Sequence, residues 1–278
     1  MIGGDVMFDR NVRLLGQKYG YDSLLASTAP LFSSADIVAV NLEGPITSNP
    51  SKTLLANGRT TKALIFTFAP KSAEALANAG ITLVSLANNH ADNFGAAGLA
   101  ETKKWLAQAG VQWFGDPSNA SSSEAVISKN GINVAFVGYH SFQPGFDRIL
   151  ADVARLSASG DFVIVMPHWG VEYAATATPG MKSQARQLVA AGASAIIGSH
   201  PHVIEEHVSM GNVPVFYSLG NLLFDQYFDP DVMAGNIVSL RVTKSGTAIK
   251  IDDIKVYQTS TASRRSVTVD MQPTDIPL

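Results

Sequence analysis

The chain has 278 residues and no cysteine, with 20 Lys+Arg against 23 Asp+Glu, so it can bury a full-sized core without a disulfide framework. A net charge of −3 and a pI near 6.0 supply no reservoir of basic surface, which argues against a nucleic-acid partner. Hydrophobic residues at 46% and charged residues at 15% read as a soluble globular protein, because no stretch approaches the roughly 20 apolar residues that span a bilayer.

The opening MIGGDVMFDR carries no basic region and no apolar stretch before a cleavage site, so no secretory signal or transmembrane segment is expected. It begins abruptly, as though the start of a first strand had been trimmed. Short, nearly continuous apolar runs follow at Ala35–Val40, Ile81–Ala87, Ile132–Val137, Phe162–Met166, Ala195–Ile197 and Val213–Leu219, a pattern that suits strands covered on both faces. Helical segments are predicted between them at Asp22–Phe32, Lys71–Ala79, Ala97–Ala109 and Met181–Ala191. The last three end at Gly80, Gly110 and Gly192, natural helix stops. The Asn119–Ser123 stretch reads as a surface loop. Strands alternating with helices predict an α/β core, mainly parallel in its first half. The alternating tail predicts an antiparallel hairpin at about 236–258, turning at Lys244-Ser245-Gly246. No linker cuts the chain, so one domain over 1–278 is expected, built either as a two-sheet α/β sandwich or as a single mixed sheet.

Function is written at the ends of the buried runs. Asn41-Leu42-Glu43 follows the first, Asn88-Asn89-His90 the second, His168-Trp169 the fourth, His200-Pro201-His202 the fifth and Asn221 the last, with Asp5 near the start. Loops leaving parallel strands converge there into a crevice that binds ligands. Imidazole, carboxylate and amide donors without thiolate suit Mn, Fe or Zn, and about six such donors can hold two ions bridged by one carboxylate, for which Glu43 is the candidate. In an extended segment His200 and His202 fall on one side, stiffened by Pro201. Asn88-Asn89-His90 has an ordinary turn as its alternative reading, as Gly3-Gly4 has punctuation, and His140 and His207 read as structural. Joint placement at several strand ends favours the metal reading.

The motifs GGDVMFDR, VNLEGPIT, SLANNHADNFG, PHWGVEY, IIGSHPHV and YSLGNLLFD, in that order, resemble the capsule-synthesis (CapA, poly-γ-glutamate biosynthesis) family, a branch of the calcineurin-like metallophosphatase superfamily. The resemblance runs from about Gly3 to Asp225. It implies a four-layer αββα sandwich of two mixed sheets with a dinuclear metal centre. Asp5 and His202 would hold one ion, Asn89, His168 and His200 the other, with Glu43 bridging. It further implies that His90 protonates a leaving group and that Arg10 binds an anion, a surface salt bridge being the alternative for Arg10. Two departures stand out. Met7 occupies the position of a ligand histidine, and a thioether is a poor ligand for a hard ion, which weakens the first site. Asn93 stands where relatives often carry Asp, which leaves the orientation of His90 open.

The resulting expectation is metal-assisted hydrolysis of a phosphoester or of the γ-linked amide of an anionic polymer, with Trp169, Glu172 and Tyr173 shaping the rim. The rival expectation is a polymer-binding or assembly component working with membrane-bound capsule-synthesis proteins. The resemblance also implies an extracytoplasmic location.

Overall fold

The computed structural model describes residues 1–55, 59–117 and 123–277. Its first part runs β1 (Ile2–Val6), α1 (Arg10–Tyr19), α2 (Ala29–Phe32), β2 (Ala39–Leu42), α3 (Lys71–Asn78), β3 (Leu83–Ser85), α4 (Gly95–Ala109) and β4 (Gln112–Phe114). The second half-sandwich follows as β5 (Glu124–Lys129), β6 (Ile132–His140), α5 (Phe146–Ala158), β7 (Phe162–His168), α6 (Pro179–Ala191), β8 (Ala195–Ile197), β9 (His207–Met210) and β10 (Val213–Phe216). The chain then returns through β11 (Asn221–Leu223), α7 (Pro230–Met233), β12 (Ala234–Ser245), β13 (Ala248–Ser260), β14 (Thr268–Val269) and β15 (Thr274–Asp275).

Among the described residues these strands make two mixed sheets. The larger has the order β14-β13-β12-β1-β2-β3-β4, with β11 also pairing β1 and β15 pairing β13; the smaller has the order β5-β6-β7-β8-β10-β9. Strands β1 to β4 are mutually parallel, as are β6, β7, β8 and β10. Three apolar layers hold the architecture together. One, with Leu24, Phe32, Leu76 and Leu106, lies between the larger sheet and its helices. A second, with Phe114, Phe136, Ile164 and Val238, lies between the sheets. A third, with Val153, Trp169, Leu188 and Val215, seals the smaller sheet under α5 and α6. This is the four-layer αββα sandwich of two mixed sheets.

Local chemistry explains where elements start and stop. Gly110 (φ 77°) and Gly192 (φ 108°) close α4 and α6 in left-handed geometry, and Thr178 caps α6 by accepting the Met181 N–H at 3.2 Å, so Pro179 falls where a missing N–H costs nothing. The predicted helix Asp22–Phe32 is instead a 3-10 turn at Tyr21–Leu24 and the short α2. Pro30 cannot donate to residue 26, so the helix restarts with the proline in its first turn. The strand predicted at Ala35–Val40 begins only at Ala39, the residue paired with Ile2, where β1 itself begins. Helices α1 and α5 lie outside the sequence expectations. Asn119–Ser122 of the expected surface loop lie outside the described residues.

Two glycines are required by close approach. A Cβ on Gly4 would sit 2.0 Å from the Gly220 carbonyl oxygen, and one on Gly198 would sit 2.0 Å from that of Tyr217. The pair Gly3-Gly4 is thus more than punctuation, since Gly4 lets β1 and the turn before β11 meet beside Asp5. Gly4→Ala is expected to destabilise the fold by about 1–3 kcal/mol through overpacking, measured by denaturant titration.

Glu205, on the segment leading into β9, is buried, and neither carboxylate oxygen has a partner among the described residues. Burial, reinforced by Glu206, raises its pKa from 4.5 to about 7. The unfolded chain releases that proton at lower pH, so stability is undiminished below about pH 4.5 and falls as pH rises toward 7. Glu205→Gln should therefore raise stability by about 2 kcal/mol at pH 8 and leave it unchanged at pH 4, read from paired thermal melts.

Candidate metal centre

Side chains at the C-terminal ends of β1, β2, β3, β7 and β8 meet in one cluster. Asp5 is in β1, opposite Asn41 of β2 on one side and Asn221 of β11 on the other. Glu43 follows β2 and lies on the same strand face as Asn41, two residues earlier. Asn88, Asn89 and His90 follow β3, His168 ends β7, and His200 and His202 lie on the loop after β8. Asp5, Glu43, His168, His200 and His202 are all buried.

One donor group consists of Asp5, Glu43 and His202, whose ligand atoms lie within 4.8 Å of one another. His202 Nδ1 is 3.0 Å from Asn221 Oδ1 and 3.3 Å from Asp5 Oδ2, and its Nε2 is 3.5 Å from Glu43 Oε1. A second group consists of Asn89, His168 and His200. His168 Nε2 is 2.9 Å from Asn89 Oδ1 and 3.1 Å from His200 Nδ1. Spacings of roughly 3 Å are those of neighbouring donors around an ion bound at about 2.1 Å. Lone pairs this close repel unless a proton or a cation lies between them. Both groups therefore fit divalent ions by donor type and spacing.

Asn41 joins the groups. Its Nδ2 lies 2.7 Å from Asp5 Oδ1, 3.3 Å from Glu43 Oε2 and 3.3 Å from His168 Nδ1, and its Oδ1 accepts from Asn88 Nδ2 at 3.0 Å. Ser199 Oγ lies 3.0 Å from His168 Nδ1. Asn41 and Asn88 stand in the strand-end groups that the sequence offers but carry no assigned role there, and Ser199 lies outside them; the two-residue spacing of Asn41 and Glu43 in a strand is the available signal for Asn41.

The electrostatics follow from burial. Burial, with Asp5 adding its charge, holds the Glu43 carboxyl well above the usual carboxylate range. For His202, burial alone would lower the pKa, but Glu43 and Asp5 outweigh it and raise it to about 9. Burial and neighbouring imidazoles push His168 well down, and His200 down to about 4, leaving both rings neutral with a lone pair to offer.

Two sequence arguments are corrected here. His200 (φ 99°) and His202 (φ 60°) both have positive φ, so the His-Pro-His segment is not extended. The imidazoles converge, with ring centroids 6.1 Å apart, through a strained loop whose His200 N–H donates to Asp5 Oδ2 at 3.2 Å. Such backbone costs about 1–3 kcal/mol per residue and persists only where surroundings enforce it. Trp169 does not shape the rim: it is fully buried, and its Nε1–H donates to the Tyr217 carbonyl at 2.8 Å.

His90, Arg10, Glu172 and Tyr173 line a 230 Å³ cavity together with Glu43 and His202. Asn93 Oδ1 accepts the Phe66 N–H at 2.7 Å and lies 3.1 Å from His90 Nδ1, so Nδ1 carries the proton and the ring is oriented, packed 4.4 Å from Phe66 between centroids. Arg10 pairs with Asp225 and lies over Phe66 and Phe224. Met7 is buried and accepts the Asp9 N–H on Sδ at 2.9 Å. His140 lies next to His168, with ring centroids 6.1 Å apart, whereas His207 stacks on Phe216 away from the cluster.

The layered fold, with its buried Asp, Glu and His cluster at the strand ends, defines a metallophosphatase-like α/β sandwich. The chain matches the family described as bacterial capsule synthesis protein PGA_cap over residues 1–226, and it belongs to that family. It is 29% identical over 267 residues to the capsule biosynthesis protein CapA of Bacillus anthracis, covering 88% of this chain and 64% of that protein. It is 27% identical over 278 residues to the PGA biosynthesis protein CapA of Bacillus subtilis strain 168, covering 93% and 72%. The chain thus spans less than two thirds of the length of the B. anthracis relative. Among solved structures, the sulfate thiohydrolase SoxB of Thermus thermophilus shares the fold at a TM-score of 0.54 and 12% identity, covering 92% of this chain and 46% of that one.

Removing either partner of the Glu43–His202 contact should have opposite effects in metal-free protein. His202→Gln leaves two carboxylates buried together and should cost roughly 3 kcal/mol, whereas Glu43→Gln removes the surplus acid and should be neutral or stabilising. Denaturant titrations in chelator at pH 7 measure both.

Proposed function

We propose that this chain, folded as one unit over residues 1–278, is a metal-dependent hydrolase of the phosphoesterase type acting in capsule or poly-γ-glutamate biosynthesis. The observation that carries the reading is the convergence of two donor groups, Asp5/Glu43/His202 and Asn89/His168/His200, in one cluster beside an open cavity. Asp5 and His202 would hold one ion, Asn89, His168 and His200 the second, and Glu43 would be shared. Divalent ions of Mn, Fe or Zn would supply Lewis acidity and a nucleophile at neutral pH.

The chain's own groups do the rest. Asn221 Oδ1 holds the His202 ring by Nδ1, and Asn93 Oδ1 does the same for His90, leaving each Nε2 for ligand or substrate. Burial lowers the His90 pKa, which makes its protonated ring a readier proton donor to a leaving group. Arg10 gives a terminal nitrogen to Asp225 and lines the same cavity, so its guanidinium charge would favour developing negative charge there. The family relationship supports an anionic substrate, either a phosphoester or the γ-glutamyl polymer, and an extracytoplasmic setting. Among the described residues no helix is long and apolar enough to cross a membrane.

A second reading is a polymer-binding or assembly component beside membrane-bound synthesis proteins. It is favoured by Met7, whose sulfur is engaged by the Asp9 N–H, so the first ion lacks an extra imidazole. Metal analysis, then hydrolysis of an aryl phosphate and of poly-γ-glutamate with Mn, Zn or Fe, separates the two. Metal-dependent turnover that falls by roughly 100-fold or more in His200→Ala supports the hydrolase. Polymer bound without turnover supports the assembly role.

A further inference from the structure

The segment between Glu43 and Glu74 is set apart by its charge. It carries Lys52, Arg59, Lys62 and Lys71 and no acid, in a chain whose acids outnumber its bases. Lys52, Arg59 and Lys62 are exposed. Like charges gathered on one stretch of surface raise the local potential instead of cancelling it, and so attract an ion of opposite sign.

This stretch has a built base. Leu54 bridges Thr60 in antiparallel sense, the Leu55 N–H donates to the Arg59 carbonyl at 2.8 Å and the Thr61 N–H to the Thr53 carbonyl at 2.7 Å. Residues 51–55 and 59–67 thus make an arm, and one buried acid ties both of its roots. Asp9, three residues after β1, accepts from Ser51 Oγ at 2.7 Å and from the Thr67 N–H at 3.0 Å. It also pairs with Arg13, which donates in turn to the Thr67 carbonyl. The surface cations therefore stand on an arm whose ends are fixed in advance, which lowers the ordering cost of binding.

The arm borders the metal-centre cavity. Thr60, Thr61 and Leu64 line that 230 Å³ space together with Arg10, whereas Lys52, Arg59 and Lys62 are not among its lining residues. A ligand confined to the cavity meets Arg10 alone of these cations; a ligand that continues out of it along the arm meets the others. Leu55, Leu64 and Ile65 are exposed beside them, and apolar side chains interleaved with cations suit a chain that alternates carboxylates with methylene groups. We propose that this arm is a binding track for an extended polycarboxylate, which Lys52, Arg59 and Lys62 hold while one part of it enters the cavity. The track favours a carboxylate polymer over a small phosphoester, and it rests on the hydrolase reading above only for what happens to the polymer once it arrives.

The test measures binding of labelled poly-γ-glutamate to the whole chain by fluorescence anisotropy, in chelator and at low salt. Lys52→Gln/Lys62→Gln should weaken binding roughly tenfold and flatten its salt dependence. A control of equal charge change, Lys129→Gln/Lys244→Gln, alters the opposite pole, where Lys129 lines a cavity with Met1 and Lys244 donates to the Gly131 carbonyl; it should change binding little. Free glutamate at the same carboxylate concentration should displace little polymer. Absence of binding by the unaltered chain, equal loss in the two double variants, or equal displacement by free glutamate would overturn the proposal. Since the affinity is read without metal, polymer binding that depends on the arm but is accompanied by no hydrolysis in metal would sink the hydrolase and leave the track. Hydrolysis with polymer binding indifferent to Lys52 and Lys62 would sink the track alone.

Discussion

Two carboxyl groups are buried side by side at the ends of neighbouring strands. Asp5 and Glu43 are 0% and 1% exposed, and His202 is the one imidazole set against both. A buried carboxylate without a compensating charge costs several kcal/mol; burial pushes the Glu43 carboxyl well up, and the two carboxyl groups hold the His202 imidazole up to about 9. Such an arrangement is poor for folding and well suited to a divalent cation, whose charge would resolve the conflict that one imidazolium only eases. The neighbouring Asn89, His168 and His200 state the same preference with neutral donors.

The rest of the molecule is arranged to hold this conflict in place. Three apolar layers position the strand ends without contributing to the chemistry. Gly4 lets β1 press against the turn before β11, so Asp5 and Asn221 stand side by side. Asn41 ties Asp5, Glu43 and His168 together, and Asp5 in turn anchors the strained loop that carries His200. The anchor, the strain and the donor geometry therefore depend on one another. The sandwich itself hosts unrelated activities, so the proposed hydrolysis rests on these side chains.

Much of the fold could be read from the residues. Buried strands such as Phe162–Met166 and Ala195–Ile197 announce themselves because a strand covered on both faces has no polar alternation. Helix ends at Gly110 and Gly192 are legible because left-handed backbone selects glycine. The helix expected through Pro30 failed for a local reason that chain chemistry contains, the missing N–H. Helix α5 was missed although Ile149, Val153 and Leu156 keep a helical spacing. The extent of the strand before Asn41 could not be read locally, since its start depends on where the paired strand begins.

The chain's residue order alone pointed to side chains with metal-binding chemistry and placed them after apolar runs, because donor chemistry and apolar runs are local properties. It also carried the family motifs. Only the tertiary structure decided that the donors divide into two groups, that Asn41 and Ser199 support them, that Trp169 belongs to the core and that His200 and His202 converge through left-handed backbone. Those outcomes depend on distances between segments far apart in the chain. Such distances are set by the packing of two sheets and their helices, and no local pattern encodes them.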